Sequence, residues 1–275
     1  MCILPIENKP EANEENKKVL IKLAKQIDKI MQDKEYQNIV LSKYLIEKQE
    51  FKNELYSKNI NILDGRWLFK HLIPEVITYV SEVQEIEIGT KEISILVNEN
   101  NNLNLRMIID LAKIVKTLNI VTNNIGSFKT IEEYLYENFG IMIKITNNNR
   151  KALIKSNIII NLDFPKELLN KYVIPRKTIV LNMEEEIKIQ SKRFSGINAH
   201  YYNVEFPDKY KNELIENNIY GYFENTLLYE SILYRKNSYE KIREEIVENK
   251  SKIVSLIGKR GTISKDEFKA VKTNN

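Results

Sequence analysis

Cysteine is almost absent from this chain of 275 residues: Cys2 is the only one, which excludes an intrachain disulfide framework and a cysteine-based zinc site. Glycine, with 8 residues, and proline, with 6, are also scarce, which argues against an all-β or loop-rich fold and against long disordered linkers. No apolar run approaches the ~20 residues that a membrane-spanning helix needs, and the amino terminus lacks the basic start and apolar core of a signal peptide. We therefore expect a cytoplasmic protein of one or two domains.

An excess of one charge is lacking as well. The 42 Lys and Arg side chains nearly balance 38 Asp and Glu, for a net charge of +4. This mild excess predicts no nucleic-acid partner, and the lack of a membrane-spanning apolar run predicts no membrane partner. Ile, Asn, Lys and Glu dominate the composition, as in proteins from AT-rich genomes, so a single Asn or Lys carries little information.

The clearest pattern that is present lies between Lys91 and Asn182. Short runs of Ile, Val and Leu alternate there with longer amphipathic segments, and nearly every apolar run ends in Asn or Asp. This rhythm is typical of βαβ units in a parallel sheet. The predicted strands are Ile93–Val97, Leu118–Val121, Ile141–Ile145, Ile158–Leu162 and Thr178–Leu181, with predicted helices over Leu105–Lys116 and Ile131–Gly140.

Helical periodicity marks the regions on either side of this block. We predict an α/β fold: a Rossmann-like parallel sheet flanked by helices, with helical amino-terminal and carboxyl-terminal additions. Before the sheet, predicted helices cover Lys17–Met31, Tyr36–Leu55 and Trp67–Val80, the third of them broken or kinked at Pro74. After residue 207 we expect helices alone. The predicted division is a helical region 1–85, a Rossmann-like domain 86–207 and a helical region 208–275.

Three short signals predict where helices begin. Asp64 stands at an N-cap position ahead of Trp67. Thr130 with Glu133, and Ser264 with Glu267, have the spacing of capping boxes, in which a hydroxyl and a carboxylate satisfy free backbone N–H groups.

Several pieces of the block resemble a known family. IVTNN (120–124), IEEYLYENFG (131–140), SNIIINLDFP (156–165) and VIPRKTIVLN (173–182) are similar to the second half of the NAD(P)-binding Rossmann domain in the shikimate dehydrogenase and glutamyl-tRNA reductase group. The resemblance covers about a third of the chain. It implies a Rossmann fold, NAD(P) as the cofactor and oxidoreductase chemistry.

The chain departs from that family where the cofactor would bind. The family's glycine-rich turn is replaced by Asn98-Glu-Asn-Asn-Asn-Leu-Asn104, in which every side chain has a Cβ and Glu99 adds a carboxylate that would oppose a pyrophosphate. Asn124 stands where the family often has an Arg for a 2′-phosphate. No substrate domain is recognisable and Cys2 is poorly placed for a nucleophile, so no catalytic residue is carried over.

Polar residues at the ends of the predicted strands form the candidate ligand site. In open α/β sheets ligands bind outside the carboxyl ends of the strands, where amides and carboxylates can meet a polar ligand. The alternative is that Asn and Asp only end strands and form turns. Arg106 and Arg150, with Lys151, are placed near the same edge and could hold an anionic group, or be solvated surface charge. The strand-end candidates are Asn98, Asn123, Asn147, Asp163 and Asn182.

The single Trp and the two His residues are interpreted as structural residues, without a catalytic or metal-binding role. Trp67, after Asp64-Gly65-Arg66, is interpreted as a core aromatic following a cap and a turn, with partner binding as the alternative. His71 and His200 have no partner carboxylate at a telling spacing, and two histidines do not make a usual zinc site, so no metal is predicted.

Three functions follow as hypotheses. The first is a degenerate Rossmann-like protein without a catalytic site that binds a small ligand or a protein partner. The second is an NAD(P)-dependent oxidoreductase with an atypical phosphate-binding loop. The third is a structural protein that assembles through its helical ends. Whether the chain is an enzyme is left open by the residues.

Overall fold

One eight-stranded sheet organises the computed structural model, which describes residues 14–183, 189, 194–216, 221–236 and 238–271. The sheet strands are β3 (Glu92–Leu96), β4 (Thr117–Val121), β5 (Ile143–Thr146), β6 (Ile158–Asn161), β7 (Ile179–Asn182), β8 (Ile197–Val204), β9 (Ile253–Gly258) and β10 (Gly261–Thr262). A separate parallel pair is formed by β1 (Asn38–Ile39) and β2 (Asn61–Ile62).

Helices precede, connect and follow these strands. They are α1 (Glu14–Asp33), α2 (Lys43–Ile46), α3 (Gln49–Tyr56), α4 (Arg66–Gln84), α5 (Asn102–Ile114), α6 (Ile125–Phe139), α7 (Lys166–Leu169), α8 (Asp208–Glu216), α9 (Asn225–Leu233), α10 (Tyr239–Glu248) and α11 (Lys265–Ala270), with a 3₁₀ turn at Ile88–Thr90.

The strand order confirms the predicted α/β fold. From one edge the order is β5-β4-β3-β6-β7-β8-β9-β10, and β3 to β8 are all parallel. If the parallel strands β3 to β8 are numbered 1 to 6 along the chain, their order across the sheet is 3-2-1-4-5-6, which is the order of the Rossmann fold. Ile95 of the central strand pairs with Ile120 on one side and Ile160 on the other.

Alternate side chains of each strand enter two different cores. Ile93 and Ile95 face the larger core, which is covered by α4, α5, α6, α9, α10 and α11. Leu96 faces a smaller core on the opposite face, built with Leu153 and Phe164 from the crossovers that lead into and out of β6. A third core, including Phe51 and other buried residues of α1, α3 and β2, lies within the amino-terminal region.

Two helix predictions are wrong, one in its continuity and one in its starting residue. The single helix predicted over Tyr36–Leu55 is instead β1, α2 and α3, because residues 38–39 pair with β2 and the Ser42 hydroxyl caps a new helix. The predicted capping box at Thr130 lies inside α6, which already begins at Ile125.

The remaining helix signals have mixed outcomes. Helix α4 runs through Pro74 without a break, and its N-cap is Gly65 instead of Asp64. The capping box at Ser264 is confirmed, with both reciprocal hydrogen bonds present. Helix α6 ends where predicted, at Gly140, which has the left-handed conformation.

Two strands were missed in the carboxyl-terminal region, where only helices were expected. β9 pairs antiparallel with β8 and returns through a tight turn, in which Gly261 has a φ of 100°, into β10. The apolar run of β9 is short and follows a charged helix, so its partner strand decides its conformation. The three-part division of the chain stays a prediction.

Candidate site at the topological switch point

The strand order determines where a ligand of this fold would bind. β4 and β5 lie to one side of β3, whereas β6, β7 and β8 lie to the other. The crevice outside the carboxyl ends of β3 and β6 is therefore the topological switch point, the usual ligand site of open α/β sheets.

A carboxylate of the chain itself binds the backbone at this crevice. Asp163 Oδ1 accepts the N–H of Asn98, and its Oδ2 accepts the N–H of Glu99, both at 2.7 Å between nitrogen and oxygen. These N–H groups directly follow β3, where the backbone of a Rossmann domain approaches a pyrophosphate. The turn thus has an anionic partner from within the chain.

The environment makes the Asp163 carboxylate costly to ionise. Burial raises the pKa of Asp163 above its ordinary value, and the nearby Glu99 carboxylate raises it further. The two backbone N–H bonds and the Lys70 ammonium on α4 act in the opposite direction, but desolvation outweighs them.

Asparagine side chains, not glycines, shape the turn after β3. The Asn101 side chain caps α5, because its Oδ1 accepts the N–H of Asn104 at 2.9 Å. The fully buried Asn104 amide donates in turn to the carbonyl of Glu99 at 2.9 Å. Asn98 Oδ1 accepts the N–H of Asn123 at 2.9 Å and so joins the ends of β3 and β4. No residue from 98 to 104 has a positive φ, which explains why this turn requires no glycine.

The ends of β6 and β7 form a second polar link. The side chains of Asn161 and Asn182 are hydrogen-bonded to each other, and both are buried. Asn161 also closes the turn after β6 by accepting the N–H of Phe164 and donating to its carbonyl, each at 2.9 Å. These amides hold the backbone on which Asp163 stands.

The structure brings together part of the predicted site. Asn98 and Asp163 are in direct contact, and Asn123 joins them through its backbone. Asn182 lies one strand beyond Asp163, where its side chain is buried. Asn147 is exposed in the loop after β5.

The two arginines of the predicted site are separated. Arg150 is exposed in the crossover from β5 to β6. Arg106 instead extends from α5 toward α10, where its guanidinium lies 3.4 Å from the carboxylate of Glu240. Half of the Arg106 side chain is exposed, so this surface ion pair contributes little to stability.

A second buried carboxylate was not among the predicted residues. Glu230 of α9 is fully buried and accepts the N–H of Gly65 at 2.7 Å and of Leu68 at 3.1 Å. The Tyr202 hydroxyl donates to the carbonyl of Gly65 at 2.9 Å. Glu230 therefore caps the amino terminus of α4 from another helix. The available signal was one acidic residue inside the apolar run Thr226–Leu233.

Burial decides the protonation of this cap. It raises the pKa of Glu230 to about 7, and the Asp64 carboxylate adds to the rise. Hydrogen bonds from Gly65 and Leu68 lower the pKa by a smaller amount. The group consequently titrates near neutral pH.

The two histidines are in different environments. His71 is buried on α4 with its ring 4.3 Å from the Trp67 ring and 5.1 Å from that of Tyr239. Burial lowers the pKa of His71 to about 4, although a hydrogen bond to the Trp67 carbonyl opposes this. His200 lies at a register shift of β8, and its Nδ1 is buried without a hydrogen-bond partner in the part of the chain that the structure describes.

Neither a metal-binding cluster nor a membrane-spanning helix occurs in the described ranges. There, no group of three or more His, Cys, Asp and Glu side chains is arranged to hold a metal ion. Within the same ranges, no helix is both long and apolar enough to cross a membrane.

Comparisons with known proteins add only distant similarities. No protein-family model matches the sequence, and a search of curated proteins gives no match. Structures with partial similarity include shikimate 5-dehydrogenase from Listeria monocytogenes, at TM-score 0.31 and 12% identity over 50% of this chain and 53% of that one. L-tryptophan dehydrogenase from Nostoc punctiforme has a TM-score of 0.33 and 9% identity over 88% and 65% of the two chains.

Ornithine carbamoyltransferase from Pyrococcus furiosus is similar at TM-score 0.32 and 12% identity, over 65% of this chain and 64% of that one. The chain spans less than two thirds of the length of each of these three proteins. Its fold assignment accordingly rests on its own strand order.

Proposed function

We propose that this chain is a degenerate Rossmann-like protein that binds no dinucleotide at the switch point and transfers no hydride. Its function is binding, of a small polar ligand or a protein partner, at the carboxyl edge of the sheet. Asn123, Asn147 and Arg150 are exposed there and are the contacts we propose for that ligand or partner.

The contact between Asp163 and the turn after β3 carries this proposal. A pyrophosphate at this turn would need the N–H groups of Asn98 and Glu99, and both already donate to Asp163. It would also meet the carboxylates of Asp163 and Glu99 at close range, and like charges repel each other. Both effects disfavour an anionic cofactor.

The asparagine contacts of the same turn support the proposal independently. A cofactor that displaced the turn would break the Asn101 cap of α5 and the link from Asn98 to β4. It would also expose the buried Asn104 amide to solvent or leave that amide without its hydrogen bond. Each such loss costs about 1–2 kcal/mol, so induced opening is opposed by several kcal/mol.

Titration with NADPH and with NADH tests the proposal against the oxidoreductase alternative. We expect no saturable heat in calorimetry and no saturable change in Trp67 fluorescence at up to about millimolar cofactor, which corresponds to binding weaker than about 4 kcal/mol. Calorimetry is included because Trp67 packs against His71 and Tyr234 and could fail to sense a ligand. Saturable binding at micromolar cofactor would overturn the proposal in favour of an atypical phosphate loop.

A further inference from the structure

Positive charge is concentrated in one part of this nearly balanced chain. Residues 141–196 contain 11 Lys and Arg against 5 Asp and Glu, a net +6, whereas the rest of the chain has a net −2. The total of +4 therefore conceals a strong asymmetry, and such asymmetry creates a local field at the surface.

The two crossovers beside β6 carry seven of these 11 cationic residues. One crossover covers residues 147–157 and the other covers residues 164–178, and both contribute to the smaller core on the same face of the sheet. The N–H of Val173 donates to the carbonyl of Asn149 at 3.1 Å. The Thr178 hydroxyl lies 2.9 Å from the carbonyl of Ser156. These two hydrogen bonds hold the two crossovers side by side on this face of the sheet.

Six exposed cations lie on these two crossovers, and we call them the basic layer. Within the described ranges none of the six forms an ion pair, although ten other Lys and Arg side chains do. Glu167 is the one acidic residue within the two crossovers. The basic layer consists of Arg150, Lys151, Lys155, Lys171, Arg176 and Lys177.

Two aliphatic side chains lie exposed among these cations. Ile154 is 55% exposed and Val173 is 53% exposed, one on each crossover. The nearest aromatic residue in sequence, Tyr172, is buried, so it offers no stacking surface for a base. Cations interspersed with aliphatic groups suit the headgroup region of an anionic bilayer, where both kinds of side chain gain contacts.

We propose that the basic layer docks this protein reversibly on an anionic lipid surface. The cations approach the headgroup phosphates, while Ile154 and Val173 reach the boundary with the acyl chains. The attraction is electrostatic at long range and falls off within a Debye length, so binding weakens as salt rises. Arg150 lies at the carboxyl edge of the sheet and is shared with the proposed ligand site, whereas Asp163 and the turn after β3 take no part in this contact.

Vesicle flotation with the full-length protein tests the proposal. We expect the protein to float with vesicles containing about 30% phosphatidylglycerol at low salt, and not with pure phosphatidylcholine vesicles. The triple variant R150Q/K151Q/K155Q should bind on the order of 100-fold more weakly, from about fivefold per charge. The variant I154S/V173S should bind roughly tenfold more weakly while keeping every charge.

A matched control separates the basic layer from net charge alone. The triple variant K22Q/K25Q/K29Q removes three exposed charges from α1 and should change binding no more than about twofold. Equal loss in both triple variants would overturn the proposal, as would failure of the wild-type protein to float at low salt. Binding of duplex DNA or RNA that R150Q/K151Q/K155Q loses, without vesicle binding, would make the layer a nucleic-acid site and the lipid proposal wrong.

Discussion

The Asp163 carboxylate acts as an internal anion for the turn after β3. Its replacement should therefore leave a cavity that can bind a small carboxylate. We expect Asp163→Ala to lower the free energy of unfolding by about 2–3 kcal/mol, because two N–H groups lose a charged acceptor. Formate at about 0.1 M should recover part of this loss in the variant, since it binds the folded state only. Thermal melts with formate, against sodium chloride of equal concentration, measure the effect.

The control for this substitution is Asp208→Ala. The Asp208 side chain is 96% exposed and lies 4.0 Å from Lys211, so its removal should create no anion site. A formate response of the same size in wild type, Asp163→Ala and Asp208→Ala would show that Asp163 does not act as an internal anion.

The polar character of the strand ends was predictable, but their mutual contacts were not. An apolar run that ends in Asn or Asp indicates a turn at the carboxyl end of a strand, which placed Asn98 and Asp163 at one edge. Their contact joins residues 65 positions apart and depends on β6 lying beside β3. Strand order is set by packing of the whole sheet, so residue patterns do not reveal that these two groups satisfy each other.

At the scale of elements, the cap of α4 by Glu230 should make stability depend on pH. The folded-state pKa of about 7 lies above the ordinary 4.5, so protonation favours the folded state. This contribution is fully present below about pH 4.5 and is lost as pH rises through about 7, a change of about 3 kcal/mol. Urea unfolding of the wild type and of Glu230→Gln at about pH 5 and pH 8 measures it as a difference.

The two substitutions at this position should behave differently. Glu230→Gln keeps an acceptor for α4 and should remove the pH dependence that Glu230 causes. Glu230→Ala leaves the N–H groups of Gly65 and Leu68 without an acceptor and should cost about 2–4 kcal/mol at either pH. An unchanged pH dependence in Glu230→Gln would contradict this account of the cap.

The stability of Glu230→Gln is subtracted from that of the wild type because the pKa of another carboxylate, Glu245, is shifted in the opposite direction. Burial alone would raise the pKa of Glu245, but hydrogen bonds from Tyr210, Lys209, Asn249 and Lys236 hold it well below its ordinary range. Its stabilising contribution is present above the ordinary pKa and is lost as pH falls through the depressed one. It is common to wild type and Glu230→Gln, so it cancels in the difference.

Elements were predictable where a local signal determines them. The side chains of Ser264 and Glu267 each accept the backbone N–H of the other residue within one turn, and their helix begins where predicted. The equivalent pattern at Thr130 failed, because α6 starts at the end of β4 and buries Phe128 in the core before Thr130 is reached. Tertiary burial overrides a capping preference of about 1 kcal/mol.

For the whole molecule, three cores of unequal size imply unequal local stability. Among the residues that the structure describes, the amino-terminal core contains 9 buried apolar residues, against 43 in the core that joins the sheet to α4 and its neighbours. The sequence shows helical periodicity in both regions but gives no measure of how much apolar surface each one buries. Small cores sustain little stability on their own.

Hydrogen exchange should resolve this difference. Amides of α1 and α3 should exchange through local opening, at a lower free energy than amides of β3 and β6. Leu55→Ala removes a fully buried side chain of the amino-terminal core and should speed exchange in α1 and α3 alone. The matched variant Leu72→Ala, fully buried in the large core, should lower protection throughout the sheet by about 2–5 kcal/mol. If Leu55→Ala lowers protection in β3 and β6 as much as in α1, then the amino-terminal region and the sheet unfold as one cooperative unit.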